Sequence, residues 1–212
     1  MDLDGTLSDP GEGITGAVGY ALQHFDIKVS DKTTLYPFIG PPLKESFMKY
    51  YRFSELQALE AITLYRRYYS EKGIYQNVLY KGIDNILQRL KDHHKILMLA
   101  TSKPTVYAEE ILCHFHIREY FAFVGGSNTD GSRSHKDEVI RYVMEQNELE
   151  PTEKIIMVGD REHDIIGARK AGIPAIGVLY GYGSKKELTD AGAVCLADTP
   201  GDLYRLLVPA DS

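Results

Sequence analysis

Two carboxylates stand one residue apart at the head of the chain, Asp2 and Asp4 in the stretch DLDGT. Two more, Asp160 and Asp164 in VGDREHD, directly follow an apolar run. Thr101 ends another apolar run in LMLATSKP, and Lys136 opens a helical pattern in SRSHKDEVI. Singly, each has a structural explanation. Asp-Gly is a turn former, and Thr101 ahead of Lys103-Pro104 could cap a helix. Lys136 could be a solvated lysine, Asp160 an N-cap, and Asp164 an acid favoured in a first helical turn. Jointly they ask for a cation, because carboxylates gathered side by side repel one another. Oxygen-only donors suit Mg²⁺, which needs only one or two carboxylates beside a phosphate oxygen. The hydroxyl of Thr101 and the ammonium of Lys136 then supply donors and positive charge for the equatorial oxygens of a transferring phosphoryl group. One carboxylate is left as a nucleophile able to form an aspartyl-phosphate.

Such residues must be delivered to one place by the elements that carry them. From about residue 83 onward, apolar runs alternate with amphipathic segments. The runs 95–102, 120–127, 154–160 and 175–181 read as strands, each ending in small or polar residues. Helical spacing lies between them at Ile83–Leu90, Val106–Phe115, Asp137–Glu145 and Asp164–Ala171. Continuous apolar strands separated by helices predict a parallel sheet covered on both faces, with chemistry at the strand carboxyl ends. Residues 11–80 differ. Gly16–Phe25, Pro42–Tyr51 and Ser54–Tyr69 read as helices with no strand between them, and SDPGEG and YPFIGPP read as breakers. The expected fold class is α/β, a Rossmann-like parallel-sheet core over residues 1–10 and 81–212 with an all-helical insert over 11–80. The terminal PADS reads as a loose tail.

The totals exclude several classes. Of 212 residues, 43% are apolar and 25% charged, with a net charge of -6. Basic residues are scattered among acidic ones, which argues against a nucleic acid polymer as partner. Two cysteines without CxxC spacing predict a reduced compartment and no structural zinc. Without an apolar stretch near the ~20 residues that span a bilayer, and without a basic-then-apolar leader, the sequence predicts a cytoplasmic protein that does not engage membranes. A monomer or homodimer is expected.

The ordered set DLDGT, LMLATS, Lys136 and VGDREHD resembles the four motifs of the haloacid dehalogenase superfamily. The helical insert resembles the C1 cap of its phosphoglycolate phosphatase-like branch, as do FIGPPLKESF and GSNTDGSRSHKDEVIRYV. The resemblance covers nearly the whole chain, and it implies a role for each residue. Asp2 attacks phosphorus and its other oxygen meets Mg²⁺. Asp4 acts as acid and then as base, its backbone carbonyl touching the metal. Thr101 and Lys136 hold phosphoryl oxygens, and Lys136 pairs with Asp2. Asp160 binds the metal, with Asp164 reaching it through water or orienting Thr6. Gly5 and Thr6 let backbone N–H groups face the phosphate. Ser102 stands where many relatives carry Asn and would contact substrate. A carboxylate at position 4 favours phosphate chemistry over carbon–halogen cleavage, since the similar dehalogenases lack it.

By the same resemblance the insert is a lid hinged at SDPGEG and near Asn77–Gly82, excluding water and selecting substrate. Gly40, with Pro41 and Pro42, and Arg66 or Arg67 are its candidate contacts. Seven tyrosines between residues 50 and 80 read as packing between helices rather than an aromatic wall. The expected substrate is a small phosphomonoester, phosphoglycolate being the family's name-giving example. A nucleoside monophosphate is the rival, and a β-phosphoglucomutase-like phosphosugar mutase shares every core motif. Phosphonoacetaldehyde hydrolysis lacks a clear cap lysine for a Schiff base. A catalytically silent partner-binding protein is the non-enzymatic alternative. Only Met1 precedes Asp2, whereas the family's first strand carries several apolar residues there, each worth roughly 1.5–3 kcal/mol when buried. The sequence therefore predicts a natural start upstream, with about four to six mostly apolar residues outside this numbering.

Overall fold

The computed structural model describes residues 1–152 and 154–208. The PADS tail, residues 209–212, lies outside them. In chain order the elements are β1 (Ser8–Asp9), α1 (Gly11–Gln23), α2 (Leu43–Tyr51), α3 (Glu55–Glu71), β2 (Val78–Leu79), α4 (Ile83–Asp92), β3 (Leu97–Pro104), α5 (Thr105–His114), β4 (Phe121–Ser127), α6 (Lys136–Gln146), β5 (Met157–Gly159), α7 (Glu162–Lys170), β6 (Ala175–Val178), α8 (Lys185–Ala191), β7 (Cys195–Ala197) and α9 (Pro200–Leu207). The chain divides into two compact units, Met1–Asp9 with Leu79–Ser212, and Pro10–Val78.

The first unit is built on parallel ladders. β3 pairs with β4, Leu99 opposite Val124, while β6 lies between β5 and β7, with Val158 opposite Ile176 and Ile176 opposite Cys195. Met1 and Asp2 join the two ladders. Met1 N donates to Met98 O at 2.8 Å, Ala100 N donates to Met1 O at 2.9 Å, and Asp2 N donates to Val158 O at 2.8 Å. The order is thus β4, β3, Met1–Asp2, β5, β6, β7, which brings Asp2 out between the ends of β3 and β5.

Alternate residues of the inner strands feed two cores, which is why those strands are apolar throughout. Met157 and Ala175 pack with Val139, Ile140, Ile165, Ala168 and Leu188 from α6, α7 and α8. Val158, Ile176 and Val178 pack with Leu203 of α9. The last strand and helices, β7 with α8 and α9, have no counterpart in the sequence reading. β7 is only three residues long, too short for periodicity to register.

The second unit is helical. Ser54 and Gln57 form a reciprocal cap on α3: Ser54 N donates to Gln57 Oε1 at 2.9 Å and Gln57 N to Ser54 Oγ at 3.3 Å. Phe38, Phe47, Phe53 and Phe25 make a continuous aromatic core, with successive ring centroids 5.0, 5.8 and 4.6 Å apart. Tyr65 and Tyr69 are buried and stacked at 5.4 Å, whereas Tyr50 and Tyr75 are exposed. The breaker YPFIGPP needs correction. Its first residues belong to a 3₁₀ helix, Lys32–Phe38, which runs through Pro37 and is started by Asp31 accepting from Thr33 N.

Candidate active site

Leaving the sheet after Asp2, the chain winds into a tight turn. The carbonyl of Leu3 accepts from the N–H groups of Thr6, Leu7 and Ser8, and fully buried Leu3 and Leu7 anchor the turn in the core. Gly5 makes this path available with φ +78°, a conformation that side chains disfavour. The Gly5 N–H donates to Ser8 O at 2.8 Å and the Thr6 N–H to Leu3 O at 3.2 Å, so the turn uses both donors itself. What it offers instead is Thr6 Oγ1, buried and without a hydrogen-bond partner.

Lys136 begins α6 and is buried, 5% exposed. Its Nζ lies 2.8 Å from Asp2 Oδ1 and 2.9 Å from Asp164 Oδ1, and donates to Ala100 O at 3.1 Å. Burial alone would lower its pKa, but Asp164 and Asp2 outweigh that and hold the ammonium above its ordinary range. Gly167 of α7 keeps room for this side chain: a Cβ there would sit 3.0 Å from Lys136 Cβ and Cγ.

Asp160 follows β5, and Asp164 lies in the first turn of α7. Asp160 does not cap that helix. Its Oδ2 accepts from Tyr182 N at 2.8 Å, across the loop after β6, and its Oδ1 has no hydrogen-bond partner. Asp164 Oδ2 accepts from Arg161 N at 3.1 Å. Burial first, then repulsion from Asp164 and Asp2, pushes the Asp160 carboxyl well above the usual range. Asp164 is raised as well, chiefly by burial, with Lys136 opposing.

Between Ala100 and Pro104 the β3–β4 register slips: Ala100 faces Gly125, and Pro104 faces Ser127. Two extra residues of β3 are therefore accommodated as a bulge carrying Thr101, Ser102 and Lys103. Thr101 Oγ1 accepts from Lys103 N at 3.3 Å. Lys103 is buried, and its Nζ lies 2.8 Å from Asp4 Oδ2. Burial raises the Asp4 pKa while Lys103 lowers it, and the balance leaves it raised. Sequence reasoning passed over Lys103 as part of a capping sequence. The available signal was a lysine on the last turn of pleat of an otherwise buried strand.

One carboxylate oxygen each of Asp2, Asp160 and Asp164 lies within 4.8 Å of the others, all three buried. Against these carboxylates the cluster sets the ammonium of Lys136, which touches Asp2 and Asp164, while Lys103 pairs with Asp4. A divalent cation fits this arrangement: three crowded carboxylates, only oxygen donors, and the unpartnered Asp160 Oδ1. The carboxylate of Asp4 faces Lys103 and stands outside that triad. Gly40, at φ +103°, and half-buried Arg66 of α3 belong to the other unit.

A parallel α/β core that brings buried Asp2, Asp160 and Asp164 together beside the Lys136 ammonium has the make-up of a haloacid dehalogenase-type phosphatase. The chain belongs to the haloacid dehalogenase-like hydrolase family, which it matches over residues 1–178. It is 45% identical over 188 residues to a 5'-nucleotidase of Pseudomonas aeruginosa, covering 89% of this chain and 85% of that protein. It is 39% identical over 183 residues, 86% of this chain, to the tyrosine-protein kinase PtkA of Mycobacterium tuberculosis, of whose length it spans 62%. A phosphoglycolate phosphatase of Colwellia psychrerythraea is 26% identical over 211 residues, covering 96% and 93% of the two chains. The crystal structure of a predicted phosphatase from Clostridium acetobutylicum superposes with a TM-score of 0.95 at 48% identity, covering 97% of this chain and 95% of that one. Among the described residues no helix is long and apolar enough to cross a membrane.

Proposed function

We propose that this phosphatase hydrolyses nucleoside 5'-monophosphates through a phosphorylated Asp2. The observation that carries the substrate class is the 45% identity to a 5'-nucleotidase, against 26% to a phosphoglycolate phosphatase over a similar span. This reading reverses the order of preference drawn from motifs alone, because core motifs are common to both activities and only whole-chain similarity separates them.

Asp2 is the nucleophile. Its carboxylate oxygen forms a bond to phosphorus as the bond from phosphorus to the nucleoside 5'-oxygen breaks. Asp4 hands a proton to that departing oxygen, acting as general acid. In the second half, Asp4 takes a proton from water as the water oxygen bonds to phosphorus and the bond to Asp2 breaks, releasing phosphate. Lys136 holds Asp2 in place and, with Thr101 and Ser102, receives the phosphoryl oxygens; Thr6 Oγ1 and the Gly5 turn border the same position. Asp2, Asp160 and Asp164, with the backbone carbonyl of Asp4, would hold Mg²⁺, which would neutralise charge on the phosphoryl group. Selection of the organic part of the ester is assigned to the helical unit, where Gly40 and Arg66 are the residues to vary.

A comparison of kcat/KM across purine and pyrimidine nucleoside 5'-monophosphates, phosphoglycolate and hexose phosphates tests this reading. The expected result is a preference of about tenfold or more for one or more nucleotides, the scale set by a few matched contacts. Phosphoglycolate or a hexose phosphate as the best substrate would overturn it.

A further inference from the structure

The bulge in β3 serves a residue to which the reaction scheme so far gives no task. Lys103 sits among buried residues with its ammonium 2.8 Å from Asp4 Oδ2, the two side chains being 6% and 9% exposed. Its backbone N–H meanwhile donates to Thr101 Oγ1. The bulge is fitted closely to the neighbouring strand. A Cβ on Gly126 of β4 would lie 2.4 Å from Lys103 O and 2.7 Å from Thr105 N, so the close approach depends on glycine there. A buried lysine is costly unless paired, and here the pairing partner is the acid/base residue of the proposed reaction.

We infer that Lys103 is a positioning residue for Asp4: it fixes Asp4 through Oδ2 and leaves Oδ1 for the departing oxygen of the substrate. Asp4 Oδ1 is buried and has no hydrogen-bond partner, as this assignment requires. The inference rests on the phosphatase reading with Asp4 as acid. It differs from a role in phosphate binding, because Lys103 acts through a carboxylate. Its loss should matter most where the leaving oxygen most needs a proton.

Leaving-group dependence of kcat/KM tests this, since kcat/KM reports the step that breaks the ester bond. Wild type, Lys103→Met, Asp4→Asn and the double variant are compared on a nucleoside 5'-monophosphate, with its poor alkoxide leaving group, and on p-nitrophenyl phosphate, with its acidic phenol. Lys103→Met is expected to lose about 10²-fold on the nucleotide, the scale of general-acid catalysis, and much less on the phenyl ester. Adding Lys103→Met to Asp4→Asn should bring no further loss on the nucleotide. Lys103→Gln keeps a donor for Oδ2 and disturbs the fold least, so its loss should be intermediate; thermal melts identify variants that have not folded. Equal losses on both esters, or additive losses in the double variant, would overturn the inference while leaving the phosphatase reading intact. A wild-type protein that turns over neither of these esters, nor phosphoglycolate, nor a hexose phosphate would overturn both.

Discussion

Gly5 and Asp160 meet so closely that a β-carbon on Gly5 would lie 2.1 Å from Asp160 Oδ2. The turn that carries Asp2 and Asp4 and the loop that carries Asp160 share this space only while residue 5 has no side chain. Two segments far apart in sequence are thereby locked into one cluster.

Gly5→Ala should therefore damage the cluster twice, by forcing alanine to φ +78° and by driving Asp160 aside. Strain of this kind costs about 1–3 kcal/mol. The variant should melt at lower temperature than wild type and gain less from added Mg²⁺. Melting curves with Mg²⁺ and with a chelator measure both effects.

Metal and pH should be linked in stability. Burial raises the carboxyl pKa values of Asp160 and Asp164 in the folded chain, so the folded state binds those protons more tightly than the unfolded state does. Their favourable contribution is fully present below the unfolded value, about 4. It is lost as pH rises through the raised folded values, where two ionised carboxylates crowd together. A divalent cation offsets that crowding. The stabilisation produced by a fixed Mg²⁺ concentration should accordingly grow as pH rises from about 4 toward neutrality. Melting temperatures over a pH series, with and without Mg²⁺, check the sign.

Lys136→Met should be among the most damaging single changes in the core. It removes the cation shared by Asp2 and Asp164 and leaves buried carboxylates uncompensated, a loss of about 3–5 kcal/mol. Because the Asp164 carboxyl is already raised, it can take up a proton at lower pH. The deficit should then be smaller near pH 5 than near pH 8, a range above the ordinary carboxylate pKa. Urea unfolding at the two pH values measures the difference.

Removing the hydroxyl of Thr101 should lower activity with little effect on folding. Thr101 Oγ1 accepts one bond, from Lys103 N, and that donor sits in the bulge in either case. Thr101→Val is expected to lose about 1–2 kcal/mol of stability or less and to raise KM for the phosphoester. Parallel melts and steady-state kinetics separate the two.

Much of this architecture is legible in the chain because its inner strands are buried on both faces. ILMLA and IIMV stand out as apolar blocks, and the polar residues that end them mark where chemistry collects. The motif residues could be picked out because carboxylates, a hydroxyl and a lysine recur directly after such blocks. Three features left no such trace. β7 is too short to show a period. The 3₁₀ helix through Pro37 hides among breaker residues. The bulge at Thr101–Lys103 is a matter of register between β3 and β4, which depends on Gly126 more than twenty residues further on. The pairing of Lys103 with Asp4 follows from that register, so no local pattern announces it. The choice between nucleotide and phosphoglycolate was likewise not written in the motifs, which govern the phosphoryl group and not what it is attached to.

If Asp2 carries the phosphoryl group, the phosphorylated residue can be trapped directly. Wild-type protein is mixed with Mg²⁺ and a nucleoside 5'-monophosphate, quenched in acid within the first turnover, and mapped by peptide mass spectrometry. A phosphate on Asp2 is expected, absent from Asp2→Asn, which should also lack turnover. Phosphate recovered on a tyrosine instead, or undiminished hydrolysis by Asp2→Asn, would contradict it.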